Sequence, residues 1–185
     1  SNPYRKRCDS WQRAEAEPEF CTLGRAYDRQ HGYDALLIGS SFADHHVPGL
    51  KLWAEQQGIS LRQVTNSTCS GVPGLIRPTY KKVQMCKDYH QTILRMIESN
   101  PNLKLLILAN HFRFAADFEA LLAAGDPHTQ ALADFATGLQ ARGIALQIIA
   151  PIESSMPLRA PCIKQAMLDV SAEPACGKEK SEGLR

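Results

Sequence analysis

Residues 33–41 read YDALLIGSS and predict the first strand and the turn that follows it. Four consecutive apolar residues end at Gly39, which is typical of a short strand buried on both faces of a sheet. The segment that follows, 42–57, places Leu50, Trp53 and Ala54 on one helical face, and a glycine at 58 ends it. The sequence therefore predicts a strand, a turn with two serines and a helix, which Pro48 should kink or delay.

The same alternation of strand and helix continues along the chain. Further strands are predicted at 59–65, 103–108 and 144–150, and further helices at 79–98, 112–124, 129–142 and 163–170. Such alternation indicates parallel pairing with right-handed crossovers and helices on both faces. We expect a flavodoxin-like α/β three-layer sandwich with a mostly parallel sheet over 31–170, after a polar, irregular flank at 1–30 and before a charged tail at 171–185.

Composition excludes several classes of protein. The 185 residues include 21 basic and 19 acidic side chains, for a net charge of +2, and 44% of the chain is hydrophobic. This hydrophobic content excludes wholesale disorder, and the small net charge argues against nucleic acid as a partner. No apolar run approaches the roughly 20 residues of a membrane span, which predicts a soluble chain.

Six cysteines are spread along the chain, and none lies in a CxxC pair. This argues against a zinc ribbon and against a thioredoxin site. An even number in three local pairs suits disulfides in an oxidising compartment. Of the 15 possible connectivities we favour sequence neighbours. These are Cys8–Cys21, Cys69–Cys86 and Cys162–Cys176. The alternative is six buried free thiols in a cytosolic protein.

Three loops should meet at the carboxyl ends of the strands, where α/β sheets place their sites. The loops are 39–41, 66–74 and 109–111. Ser41 precedes a helix whose first N–H groups lack partners, which suits a nucleophile beside an oxyanion site, although a serine here can simply cap the helix. Asn110 could donate to the same oxyanion or close a turn.

Read in order, three blocks carry a resemblance to a known family. They are LLIGSSFA at 36–43, QVTNSTC at 63–69 and LILAN at 106–110. Together they resemble the SGNH branch of the GDSL hydrolases, and more closely the SGNH domain behind the membrane part of type 3 bacterial acyltransferases. The resemblance covers roughly residues 20–165.

The resemblance implies acyl transfer or ester hydrolysis on a cell-surface carbohydrate. The domain would lie in the periplasm, tethered to the inner membrane by an acyltransferase domain of the full-length protein. Its partners would be an acyl donor and a carbohydrate acceptor, and it would need neither cofactor nor metal.

By family position, Ser41 is the nucleophile, its own N–H is one oxyanion donor, and Asn110 fills the asparagine role. The glycine of the family's second block falls nearest Thr68, with Gly71 three residues on, so a backbone N–H there is the expected further donor. The family reads its first block as Gly-Asp-Ser, often followed by His. Here Ser40 replaces the aspartate and Phe42 replaces the histidine.

The general base is the larger departure. The family supplies it from Asp-x-x-His after a last strand, but no histidine follows residue 150, so we expect a sheet without its last strand and a catalytic histidine outside this chain. The single Asp-x-x-His, 28–31, precedes the first strand and should lie roughly 20 Å from Ser41, too far to serve. His111 is the best stand-in base, and His45 and His46 are expected to face solvent or cap the helix.

The departures at positions 40 and 42 leave a second hypothesis open, that of a catalytically silent carbohydrate-binding or structural domain. A plain flavodoxin-like ligand binder is disfavoured, because no GxGxxG follows the first strand.

Overall fold

A computed structural model describes residues 8–76, 82–110, 125 and 127–149. The chain divides into one compact unit, Ser1–Pro151, and a second, Ile152–Arg185, and the described residues all belong to the first. The predicted helices at 112–124 and 163–170, the pair Cys162–Cys176 and the tail lie outside the described residues.

Within the described residues, five strands form one sheet, and four helices accompany them. The strands are β1 Thr22–Gly24, β2 Ala35–Gly39, β3 Ser60–Thr65, β4 Leu105–Ala109 and β5 Ala145–Ile149, and the helices are α1 Trp11–Ala16, α2 Ser41–Gln57, α3 Val83–Glu98 and α4 Pro127–Ala141. The strand order is β1-β3-β2-β4-β5. Every neighbouring pair is parallel except β1 and β3. The predicted α/β class with a mostly parallel sheet is confirmed.

The two faces of the sheet carry separate hydrophobic clusters, because successive side chains of a strand point to opposite faces. Ile38 of β2 shares one cluster with Ile93 of α3 and Leu132 of α4. Leu37, its neighbour, belongs to the other cluster, with Val47 of α2. Helices thus cover both faces, and the predicted three-layer arrangement is confirmed. Among the described residues, none of the helices has the length and apolar character needed to cross a membrane.

Two local predictions are wrong. Residues 11–16 and 22–24 are not irregular but form α1 and β1. Elements this short carry too few residues for a periodic pattern, and β1 is held by pairing with β3 across 40 residues of chain, from Thr22 to Arg62.

Pro48 does not delay α2, which begins at Ser41 and runs through it. Buried Val47 and Ala54 hold the helix to the sheet around the exposed proline.

Two of the three predicted disulfides lie in the described residues, and both are confirmed. Cys8–Cys21 closes the N-terminal segment, and Cys69–Cys86 ties the loop after β3 to α3. The alternative of six free thiols is therefore wrong.

The Asp34 carboxylate forms several hydrogen bonds at the amino end of β2, which predicts that the stability of the domain falls at low pH. Its carboxylate accepts hydrogen bonds from the Ser60 backbone (2.8 Å) and hydroxyl (2.9 Å), Arg25 (2.7 Å) and His31 (2.8 Å). Burial alone would raise the pKa of Asp34, but the hydrogen bonds from Ser60 and His31 and the charge of Arg25 bring it from 3.8 to about 2.

Because the folded pKa is the lower one, this stabilisation is complete above about pH 4 and is lost as the pH falls towards 2. We expect Asp34→Asn to lower the free energy of unfolding by about 1.5–3 kcal/mol at neutral pH. The difference from wild type should shrink below pH 4, as measured by urea denaturation at several pH values. A difference that is the same at every pH would contradict this role.

Candidate active site

Strands β2, β3 and β4 end level with one another, which brings three loops together. Gly39, the last residue of β2, pairs with Thr65 of β3 on one side and Ala109 of β4 on the other. The Gly39 carbonyl also accepts a hydrogen bond from the Asn66 N–H (3.0 Å). Since β2 lies between β3 and β4, the turn after it is flanked by the loops that follow them, as the sequence predicts.

Ser40 and Ser41 have different roles in this turn. Ser40 is the N-cap of α2, and its hydroxyl accepts a hydrogen bond from the Phe42 N–H (3.3 Å). Ser41 is the first residue of the helix and is half-buried. Neither its hydroxyl nor its N–H makes a hydrogen bond to any residue of the described part of the chain. The capping function thus falls to Ser40, and the Ser41 hydroxyl is left available at a helix N-terminus.

Asn110 joins all three loops. It is 3% exposed, and its Oδ1 accepts from the backbone N–H groups of Ser40 (2.9 Å) and Gly71 (3.3 Å). Its Nδ2 donates one hydrogen to the Ser70 hydroxyl (2.8 Å). A carboxamide nitrogen carries two hydrogens, so one N–H remains beyond this bond. The structure therefore places the predicted oxyanion asparagine against the serine turn, and the same side chain also closes the turn.

Thr68 and Gly71, the predicted further donors, use their N–H groups inside the loop. The Thr68 N–H donates to Oδ1 of Asn66 (2.9 Å), and the Gly71 N–H donates to Asn110. Gly71 is needed for a different reason, because a Cβ there would lie 2.7 Å from the Gly39 nitrogen. The loop after β3 therefore rests directly on the end of β2.

Tyr89 of α3, which the sequence analysis does not identify, holds the residues before the serine turn through its hydroxyl. The phenol is fully buried, and its hydroxyl donates to the Val64 carbonyl (2.8 Å) and accepts from the Gly39 N–H (3.2 Å). Burial raises the pKa of Tyr89 far above its usual value, so the hydroxyl stays protonated. One side chain thus joins the ends of β2 and β3 under the serine turn.

His90, the next residue of α3, holds the loop after β3. Its Nε2 lies 2.8 Å from the Ser70 carbonyl oxygen. Burial lowers the pKa of His90 despite this bond, so the ring is neutral and donates from Nε2. This contact could have been predicted from the disulfide Cys69–Cys86. His90 lies one helical turn beyond Cys86, and therefore on the face of α3 that reaches the loop containing Cys69.

Asp44 is a buried carboxylate, 2% exposed, in the first turn of α2. Its Oδ1 accepts from Nε2 of Gln63 (2.6 Å) and from the Thr65 hydroxyl (3.2 Å). Negative charge is favourable near a helix N-terminus. These bonds hold the start of α2 to β3 and so fix the position of the serine turn.

None of His31, His45, His46 and His90 makes a hydrogen bond with Ser41. His45 is exposed, as expected, whereas His46 is half-buried against Phe42, with ring centroids 4.8 Å apart. His31 pairs with Asp34 at the amino end of β2, the end opposite Ser41, which agrees with rejecting the 28–31 dyad. His111 lies outside the described residues.

A mostly parallel sheet with a serine at the first turn of the helix after a central strand, and an asparagine from the neighbouring strand beside it, defines an SGNH hydrolase-like domain. The family model for the SGNH domain fused to AT3 domains matches residues 7–182, and the chain belongs to this family. The resemblance seen in the sequence is confirmed and extends further towards both ends. No curated protein and no solved structure matches the chain significantly.

Proposed function

We propose that this domain carries out acyl transfer or ester hydrolysis on a cell-surface carbohydrate, with Ser41 as the nucleophile. The observation that carries the proposal is the division of roles in the turn. Ser40 caps α2, and the Ser41 hydroxyl, at the helix N-terminus beside the turn that the Asn110 carboxamide holds, makes no hydrogen bond to a described residue. Fusion of this family to AT3 acyltransferase domains supports an acyl substrate, and the two disulfides support a periplasmic location.

In the proposed reaction, Oγ of Ser41 attacks an acyl carbonyl and its proton passes to a base. The oxyanion is held by the Ser41 N–H and the second N–H of Asn110 Nδ2, at a helix N-terminus. Thr68 and Gly71 shape the loop and add their N–H groups only by releasing Asn66 and Asn110. The base returns its proton to the leaving oxygen, and a carbohydrate hydroxyl or water then takes the acyl group from Ser41.

The base is a histidine outside the described residues, with His111 as the candidate within this chain. A second candidate function follows from the departures of this sequence from the family pattern. Ser40 and Phe42 replace the family's aspartate and histidine, which favours a catalytically silent carbohydrate-binding or structural domain.

Labelling with a serine-reactive fluorophosphonate, with nitrophenyl acetate turnover as a second readout, separates these functions in the full-length protein. We expect wild-type protein to be labelled and Ser41→Ala not to be labelled. Ser40→Ala is the matched control. It removes the N-cap, which costs about 1 kcal/mol of stability, but keeps the nucleophile and therefore the labelling.

His111→Ala should slow labelling of the wild-type serine if His111 is the base. Wild-type protein that is folded but takes up no label would exclude the enzyme and support the silent domain. Labelling that survives in Ser41→Ala would place the nucleophile elsewhere.

A further inference from the structure

A cavity of about 600 Å³ opens at the opposite end of the domain from the serine turn. It lies where α3 ends, beside the start of β2, and Arg62 of β3, Tyr27 and Met96 are among its lining residues. A cavity of this size accommodates a small organic molecule.

Arg62 is the unusual group in this lining. It is 2% exposed, yet it makes no ion pair with any described residue. Its Nε is buried without a hydrogen-bond partner in the described part of the chain, and its Nη1 makes one long bond, 3.4 Å, to the Thr22 hydroxyl. Burial lowers the pKa of Arg62 to about 10, which leaves the guanidinium charged at neutral pH. Buried charges are normally paired, but this cation has no direct counter-ion among the described residues, and the charges of Glu19 and Glu15 act on it from beyond ion-pair distance.

The other charged groups of the lining are already paired. Glu15 accepts from Arg95 (3.2 Å), and Glu98 lies 3.5 Å from Arg142. Neither glutamate is within ion-pair distance of Arg62, so among the described residues the guanidinium is the one charged group of the lining without a direct ion-pair partner. A ligand with two negative charges would pair one of them with Arg62 and leave the other without a direct partner among the described residues of the lining.

The remaining lining suits an organic body attached to that charge. The Tyr27 ring lies beside the guanidinium, with its centroid 5.8 Å from Cζ, and Met96 adds an apolar surface. The Tyr33 hydroxyl donates to the Met96 carbonyl (2.8 Å) and Arg95 is paired with Glu15, so Arg62 is the cation of the described lining that has no direct ion-pair partner. A planar carboxylate matches a guanidinium geometrically and carries one charge.

We propose that this cavity is a second ligand site, which binds a small organic monocarboxylate through an ion pair with Arg62. The site is separate from the serine turn and does not depend on the proposed function.

Glucuronate, a six-carbon ring that carries one carboxylate, is a suitable probe for the 185-residue chain. Glucose is the uncharged control and glucose 6-phosphate the doubly charged one. The readout is the Nε–H resonance of Arg62 in a proton–nitrogen NMR spectrum, since this group has no hydrogen-bond partner among the described residues. We expect glucuronate to shift the resonance in a saturable manner, glucose to leave it unchanged, and glucose 6-phosphate to bind more weakly.

Arg62→Met should weaken glucuronate binding at least about tenfold in calorimetry, because it removes a charge-assisted hydrogen-bonding pair. Removal of an unpaired buried charge should not lower the thermal midpoint of unfolding, which separates loss of binding from loss of fold. Arg13→Met, at an exposed arginine outside the cavity lining, is the matched control and should bind as wild type does. An Arg62 resonance that does not move in wild-type protein, equal shifts with glucose, tighter binding of glucose 6-phosphate, or full binding by Arg62→Met would each overturn the proposal.

Discussion

Gly39→Ala is expected to prevent the domain from folding. Gly39 has φ of +144°, a region that other residues rarely adopt, and a Cβ there would overlap the Ala109 carbonyl oxygen and lie 2.8 Å from its carbon. Ala109 cannot move aside, because it is the last residue of β4 and is paired with both β2 and β5. We expect a loss above about 4 kcal/mol, a large part of the stability of a domain this size.

The measurement is the yield of soluble protein together with circular dichroism and urea denaturation. Gly138→Ala is the matched control, since Gly138 is exposed in α4 and a Cβ there meets nothing within 4 Å. That substitution should raise the free energy of unfolding by about 0.5–1 kcal/mol, because alanine is the better helix former. A wild-type unfolding curve for Gly39→Ala would show that the end of β2 is not packed against β4 as described.

Asn110→Ala should have the next largest effect, on both stability and activity. The substitution removes the acceptor of the Ser40 and Gly71 N–H groups and the donor to Ser70, and Gly71 is buried. Buried groups left without partners should lower the free energy of unfolding by about 2–4 kcal/mol. If the proposed function holds, loss of an oxyanion donor should also slow labelling of Ser41 about 10²–10³-fold.

Asn110→Asp separates the two effects. A carboxylate keeps the oxygen that the Ser40 and Gly71 N–H groups use, but it has no N–H to offer an oxyanion. We therefore expect most of the stability to remain while labelling is slowed as much as in Asn110→Ala. If both substitutions lowered the free energy of unfolding equally, the hydrogen bonds that Oδ1 accepts from Ser40 and Gly71 would not be what stabilises the turn. An unchanged labelling rate in Asn110→Asp would exclude Nδ2 as an oxyanion donor.

The central sheet was predictable because its strands are almost continuous apolar runs, such as 35–38, separated by clear helix patterns. Parallel topology then fixed which loops meet, and so brought Asn110 to the serine turn. The disulfides followed from cysteines close in sequence. Each of these inferences depends on local pattern plus one general rule of sheet geometry.

The parts that were missed depend on contacts between distant residues. Strand β1 exists through its pairing with β3, and the contact of His90 with Ser70 spans 20 residues. The roles of Ser40 and Ser41 could not be assigned from sequence either, because serine suits both an N-cap and a nucleophile. Only the position at which α2 begins, set by how its buried side chains pack, decides between the two.

Helix α3 holds together the edge of the sheet that carries the serine turn. Three of its residues reach the edge by different means: Cys86 through a covalent bond to Cys69, Tyr89 through its phenol and His90 through its imidazole. A small rotation of this one helix would displace all three attachments together. Substitutions meant to test the proposed function should therefore be made at the loop positions, and this face of α3 should be left intact.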